Sequence, residues 1–222
     1  FYNCYALESI DLPEGLESIG NRAFDYCKAL TSITLPEGVK SIGEFVFGGC
    51  EALESITLPE TLISIGYGAF QTCTSLTSIT LPEGLTTIEG NAFRGCTSLT
   101  SITLPETLTS IGNRAFMICS ALKSITLPEG VTSIGNSAFS QCASLESITL
   151  PDKVTSIGNS AFSLCASLTS IPCLATTPPT VGSLAFSGCD GLKTIYVPDG
   201  SVDDYKAASG WSDYSTKIQP IQ

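Results

Sequence analysis

The chain has 222 residues, 43% of them apolar and only 14% charged, so it is long enough for a sizeable core and too apolar for a disordered tail. Ten Lys+Arg against 21 Asp+Glu leave a net charge of −11, an acidic balance that repels phosphates and argues against nucleic acid and anionic membranes as partners. No histidine is present, which removes the commonest general base, and no apolar run is long enough to insert into a membrane as a helix.

From its first residue the chain repeats itself every 23 residues. Cysteines fall at 4, 27, 50, 73, 96, 119, 142 and 165 and, after one extra residue, at 189; prolines fall at 13, 36, 59, 82, 105, 128 and 151. The unit reads C-x2-L-x2-I-x-L-P-x2-[LV]-x2-I-G-x2-A-F-x2-C. Such a period implies a solenoid, in which each coil buries its apolar side only by stacking on its neighbours. Phe1-Tyr2-Asn3-Cys4 matches Phe24-Asp25-Tyr26-Cys27, so the first unit reads as truncated and the chain as a piece of a longer protein.

The elements follow in order along the unit from Cys27 to Cys50. Ser32-Ile33-Thr34-Leu35 alternates, with Ile33 and Leu35 on one side and Ser32 and Thr34 on the other, as a half-buried strand does. Equivalent strands of successive coils then form a parallel sheet at roughly 4.8 Å spacing. Leu35-Pro36-Glu37-Gly38 fits a type I turn with Pro in the second place; Pro-Glu-Thr at 59–61 and 105–107 argues against a required left-handed residue. Val39 to Gly43 is a second short strand or an extended arc. Asn113 to Cys119, in a later unit, predicts a single helical turn capped by the Asn. Each coil thus sends Cys, Leu, Ile, Leu, Leu or Val, Ile, Ala and Phe inward. Nine of ten phenylalanines share one column and form a buried spine.

Nine of ten cysteines occupy one equivalent place, and no C-x2-C pair occurs, so they read as a ladder of small buried thiols rather than zinc ligands or a disulfide framework. Cys173 is off the rhythm and is a candidate to pair with Cys165 or Cys189.

Leu30-x2-Ile33-x-Leu35 matches the strand signature of leucine-rich repeats. With the 23-residue length, the Leu-Pro junction and the Ile-Gly-x2-Ala-Phe-x2-Cys half, the unit resembles the BspA-like leucine-rich repeats of bacterial surface proteins over about residues 1 to 200. It departs from ordinary leucine-rich repeats in lacking an Asn ladder after the strand. The resemblance implies a curved α/β leucine-rich-repeat solenoid: a parallel sheet with one short strand per coil, and turns and single-turn helices on the other side. It also implies secretion or surface display and roles in adhesion or protein binding. It assigns no catalytic, cofactor or metal residue.

The chain then divides into a solenoid of about eight to nine coils over 1–200 and a C-terminal cap over 201–222, continuous with it. Before the cap the rhythm breaks at Ile171-Pro172-Cys173, where Pro removes a ladder donor, and a bulge or surface excursion through Thr180 is expected. Ser201-Val202-Asp203-Asp204 reads as a capping box opening a helix to about Ser209, with Gly210 stopping it and Trp211 covering the last coil.

Candidate functional residues lie on the surface. The outward Thr57, Thr80, Thr103, Thr126 and Thr149, with the serines two places before each, form hydroxyl columns on the sheet. They suit a protein ligand, such as a host or matrix protein, with glycan or ice binding and plain soluble filler as the alternatives. Met117 and Ile118 are an apolar pair where other units carry small or polar residues, either a second contact candidate or a local packing variant. An acidic column from Glu14 to Asp152 reads as a solvated stripe, with calcium as its alternative. No enzyme motif occurs, and the chain reads as a non-enzymatic interaction module or a structural spacer.

Overall fold

The computed structural model describes residues 1–221. Most coils carry two short strands where one per coil is expected, and around Ser124 and Ser147 the first is reduced to single bridges. The first belongs to the Ser-Ile-Thr segment, as in Ser32–Thr34, Ser55–Thr57, Ser78–Thr80 and Ser101–Thr103. The second follows the proline turn, as in Ser41–Ile42, Ser64–Ile65, Ser110–Ile111 and Ser133–Ile134. Both stack in parallel between equivalent residues: Ser32 beside Ser55 in the first ladder, Ser133 beside Ser156 in the second. The arc from Val39 to Gly43 therefore contains a strand, Ser41–Ile42, and the coil has two β sides.

The third side is not helical. Among the described residues no coil contains a helix, and the single turn expected over Asn113–Cys119 is a run of tight turns. Backbone N–H groups there alternate in purpose. Those of Ala115, Met117 and Cys119 donate three residues back, to Gly112, Arg114 and Phe116. Those of Arg114, Phe116 and Ile118 donate across to Asn136, Ala138 and Ser140 of the next coil. The alternation needs two left-handed residues per coil, here Arg114 (φ 58°) and Ile118 (φ 65°). A helical turn would aim these donors along its own axis and forfeit the bonds between coils.

The proline turn also sits one residue later than expected. Val39 N–H donates to Pro36 O at 3.3 Å, so Pro opens the turn and Glu37-Gly38 form its centre. Gly15 and Gly38 take positive φ there, whereas Thr61 and Thr107 use their hydroxyls to bond carbonyls of the preceding coil.

The interior is one apolar column built from the residues named above. Phe47, Phe70, Phe93, Phe116, Phe139 and Phe162 are fully buried. Consecutive rings stack, with centroids 5.3 Å apart and planes 5° apart for Phe70 and Phe93. Stacked rings at this spacing add to the burial of a large apolar side chain, worth roughly 1.5–3 kcal/mol each. All ten cysteines are free, and the nine other than Cys4 are buried. Cys173 bonds the Tyr205 hydroxyl at 3.1 Å instead of pairing with Cys165 or Cys189.

At the C-terminal end Pro172 is accommodated within a strand, Ser170–Pro172, which pairs with Thr194–Val197. The ladder uses the Pro172 carbonyl, which accepts Leu150 N–H at 2.8 Å. The excursion follows it and rejoins at Thr180, whose N–H donates to Thr155 O at 2.9 Å. The capping box does not form: Ser201 makes no cap bond, and its hydroxyl donates to Thr176 O at 2.7 Å. The helix is only Val202–Ala207, preceded by a 3₁₀ turn Asp199–Ser201 and followed by another over Ser212–Lys217. Trp211 is fully buried against Phe186 at the end of the spine, and its indole N–H donates to Pro179 O at 2.7 Å. A last strand, Ile218–Pro220, joins the first ladder beside Thr194–Val197; Gln222 lies outside the described residues.

Candidate functional site

The outward side chains of the first ladder make the first candidate surface. Thr57, Thr80, Thr103, Thr126 and Thr149 are all exposed, with Thr80 directly beside Thr103. The surface is hollowed over three successive coils into a groove of about 760 Å³. Thr103, Thr126 and Thr149 line it, Ile102 and Ile125 floor it, Glu106 and Glu129 stand at the rim, and Leu174 closes one end. Thr57 and Thr80 lie on the same ladder beyond the groove.

Other threonine columns are occupied. The hydroxyls of Thr109, Thr132 and Thr155 each donate to the carbonyl of the threonine one coil before, at 3.0–3.2 Å. The hydroxyls of Thr103, Thr126 and Thr149 take part in no such bond among the described residues. They are available to a ligand. The acidic column from Glu14 to Asp152 is exposed throughout, and among the described residues no three ligating side chains gather in a way that would hold a metal ion.

Met117 and Ile118 lie on the turn side, apart from the groove, and both are half-buried. Met117 lines a second hollow of about 500 Å³ with Phe45, Tyr67, Gln71, Asn91, Arg94 and Arg114. Apart from Met117, the sequence reading missed this cleft. Its signal is an interrupted column: the residue after Ile-Gly is Asn21, Asn113, Asn136 and Asn159 in regular coils, but Glu44, Tyr67 and Gly90 in the intervening three. Where Asn is present, its Oδ1 accepts the backbone N–H of the equivalent residue in the next coil, as Asn113 does for Asn136 at 2.7 Å. The Asn ladder that ordinary leucine-rich repeats carry after the first strand is absent, and an Asn column stands at the end of the second strand instead.

Beside the cleft, Arg22 bonds Asp25 at 3.0 Å and lies 4.9 Å above the centre of the Phe45 ring. Burial raises the Asp25 carboxyl above its ordinary value, against the pull of the Arg22 charge.

Residues 1–120 and 86–207 match the family model described as the BspA type leucine rich repeat region, in six copies. The crystal structure of the T. pallidum leucine-rich repeat protein TpLRR is 31% identical, with a TM-score of 0.70 over 86% of this chain and 85% of that one. A leucine-rich repeat protein from Bacteroides ovatus ATCC 8483 is 26% identical over 100% of this chain and 80% of that one, with a TM-score of 0.46. The pneumococcal vaccine antigen PcpA, at 19% identity and a TM-score of 0.52 over 95% of this chain and 73% of that one, is alike in fold alone. No curated protein matches the sequence at a significant level. The repeat formula, the stacked parallel coils and the family match converge: this chain belongs to the BspA-type leucine-rich repeat proteins.

Proposed function

We propose that this chain is a non-enzymatic interaction module of a secreted or surface-displayed bacterial protein, and that it binds a protein ligand through the hydroxyl-lined groove over Thr103, Thr126 and Thr149. The observation that carries this reading is the contrast between threonine columns: Thr109, Thr132 and Thr155 spend their hydroxyls on the neighbouring coil, and the sheet-face column that includes the groove does not. An apolar floor with uncommitted polar groups above it is the composition of a binding surface. The acidic rim of Glu106 and Glu129 favours a partner with a neutral or basic face. Family membership supports surface display and adhesion as the setting, and no helix among the described residues is long and apolar enough to cross a membrane.

The test is capture from a panel of immobilised matrix and serum proteins. The unaltered chain is expected to retain at least one partner. Combined Thr103→Arg, Thr126→Arg and Thr149→Arg substitution is expected to weaken it by about tenfold or more, while Leu164→Arg on the turn side leaves it unchanged. Failure of the unaltered chain to capture any protein would favour a structural spacer. Equal capture by the triple variant would remove the groove from the account.

A further inference from the structure

We propose that the cleft between Tyr67 and Arg114 is a second binding site, and that its ligand is an acidic sugar: a pyranose ring carrying a carboxylate. The site is separate from the hydroxyl groove and does not depend on the function assigned to it.

Charge is the first argument. The chain has 21 carboxylates and three arginines, Arg22, Arg94 and Arg114. Two of the three line this cleft, and no carboxylate lines it. Among the described residues neither Arg94 nor Arg114 is ion-paired, whereas Arg22 outside the cleft is. A guanidinium presents a planar fork that fits a carboxylate through two parallel hydrogen bonds.

The second argument is an imbalance of buried polar atoms. Asn91 is only 6% exposed. Its amide nitrogen donates to the Tyr67 hydroxyl, but its Oδ1 has no partner. Arg94 Nε is likewise buried without one. Buried polar groups are otherwise nearly always paired. Arg94 Nε requires an acceptor and Asn91 Oδ1 requires a donor. A carboxylate alone supplies only acceptors; a carboxylate on a ring of hydroxyls supplies both.

The third argument is the way the aromatic walls are seated. Phe45 and Tyr67 meet edge to face at 5.4 Å. Each lies over a glycine of the following coil: a Cβ at Gly68 would come within 2.6 Å of the Phe45 ring, and one at Gly90 within 3.0 Å of the Tyr67 ring. Phe45, Tyr67, Gly68, Gly90, Asn91 and Arg94 all stand at variable places of the repeat. They gather in one place and leave Tyr67 41% exposed beside the two arginines, its ring an apolar surface of the kind that packs on the C–H bonds of a sugar. A volume of about 500 Å³ holds one or two such rings. An acidic peptide would satisfy the arginines but makes poorer use of the aromatic walls.

Titration calorimetry with sodium glucuronate and with N-acetylneuraminate tests the assignment, with glucose and a hexaglutamate peptide as comparisons. At least one sugar acid should bind saturably at one site per chain, about tenfold or more tighter than glucose, and more weakly as salt rises from about 20 to 150 mM. Arg114→Met, which changes an exposed side chain and leaves the backbone bond to Asn136 in place, and Tyr67→Ala should each weaken it by about tenfold, while Thr126→Arg should not. A hexuronate oligomer binding tighter than the monomer would identify a polysaccharide as the source; equal affinity would identify the free acid. Absence of saturable binding by either acid, unchanged binding in Arg114→Met with an unchanged thermal midpoint, or preference for the peptide over both acids would overturn the proposal.

Discussion

The thiol of Cys119 donates to the carbonyl oxygen of Phe93 at 3.1 Å, across the boundary between two coils. That oxygen already accepts the Cys96 N–H at 3.2 Å, so the thiol occupies its second lone pair. The same bond joins Cys50 to Phe24, Cys73 to Phe47, Cys96 to Phe70, Cys142 to Phe116 and Cys165 to Phe139. It accounts for cysteine as the inward residue: alanine would leave a gap where the sulfur sits and the oxygen with one bond fewer. Burial pushes the Cys96 and Cys142 thiols up to about 12. The thiolate is the reactive form, so these groups are inert in the folded chain. In a disulfide-exchange assay near pH 8 the native protein should release a fast signal from the exposed Cys4 alone, and the remaining nine should react only in denaturant. Rapid reaction of several thiols in the native state would show that the coils open readily.

The same ladder gives a sign to the alkaline response. Unfolded thiols ionise near ~8.5, whereas folded Cys50, Cys96 and Cys142 are held protonated up to about 12. Above the unfolded value the unfolded chain therefore binds fewer protons than the folded one, and stability falls as pH rises. The full contribution is present below about pH 8 and is lost progressively toward 12. Urea midpoints measured at steps from about pH 7 to 11 should decline, and Cys→Ala replacement at 96 and 142 should flatten the decline. A midpoint that stays level over this range would contradict the burial of the thiols.

Phe116 stacks between Phe93 and Phe139 at 5.4 and 5.3 Å and is fully buried. Phe116→Ala would remove a ring from the middle of the spine, where neither neighbouring coil can close the gap without breaking its own ladder. The expected cost is about 3–5 kcal/mol, or a thermal midpoint lowered by roughly 2–4 °C per kcal/mol for a chain of this size. Phe1, at one end of the spine, is 60% exposed, and Phe1→Ala should cost far less. Thermal melts of the two variants compare them directly; equal losses would mean that the spine is not a continuous support.

The regular part of this architecture was legible because one pattern was written nearly nine times over. Inward Ile33, Leu35, Val39, Ile42 and Phe47 follow from alternation and spacing, and all are buried. The turn side was not legible. A helical turn and a chain of tight turns both place Ala115, Phe116 and Cys119 inward, and the deciding fact is the left-handed backbone at Arg114 and Ile118, which nothing in those residue types announces. Ser201 was misread for a similar reason. Its local pattern suits a cap, but the Thr176 carbonyl, left open by the excursion after Pro172, draws the hydroxyl away. Of the candidate surfaces, the threonines were visible as columns, but a groove spanning Thr103 to Thr149 depends on coils coming side by side. The cleft at Asn91 was visible only as places where the repeat fails.

Those failures have an energetic consequence that a single substitution can reverse. In the regular coils the Asn after Ile-Gly accepts the next coil's N–H: Asn21 from Glu44 at 2.9 Å, Asn136 from Asn159 at 2.7 Å, Asn159 from Ser183 at 2.8 Å. Glu44 and Tyr67 interrupt the column, and the Tyr67 N–H receives no such acceptor from the coil before it. Asn136→Ala should therefore lower stability by about 0.5–1.5 kcal/mol, the net value of one hydrogen bond in a partly hydrated setting. Glu44→Asn should act in the opposite direction. It supplies an Oδ1 for the Tyr67 N–H and removes one carboxylate from a chain whose net charge is −11, so the midpoint should rise by a similar amount. The two effects should add, because these coils share no contact and distant sites are independent. Urea unfolding of each variant and of the pair checks the signs. A neutral or destabilising Glu44→Asn would show that the acceptor column follows from the regular coils instead of supporting them.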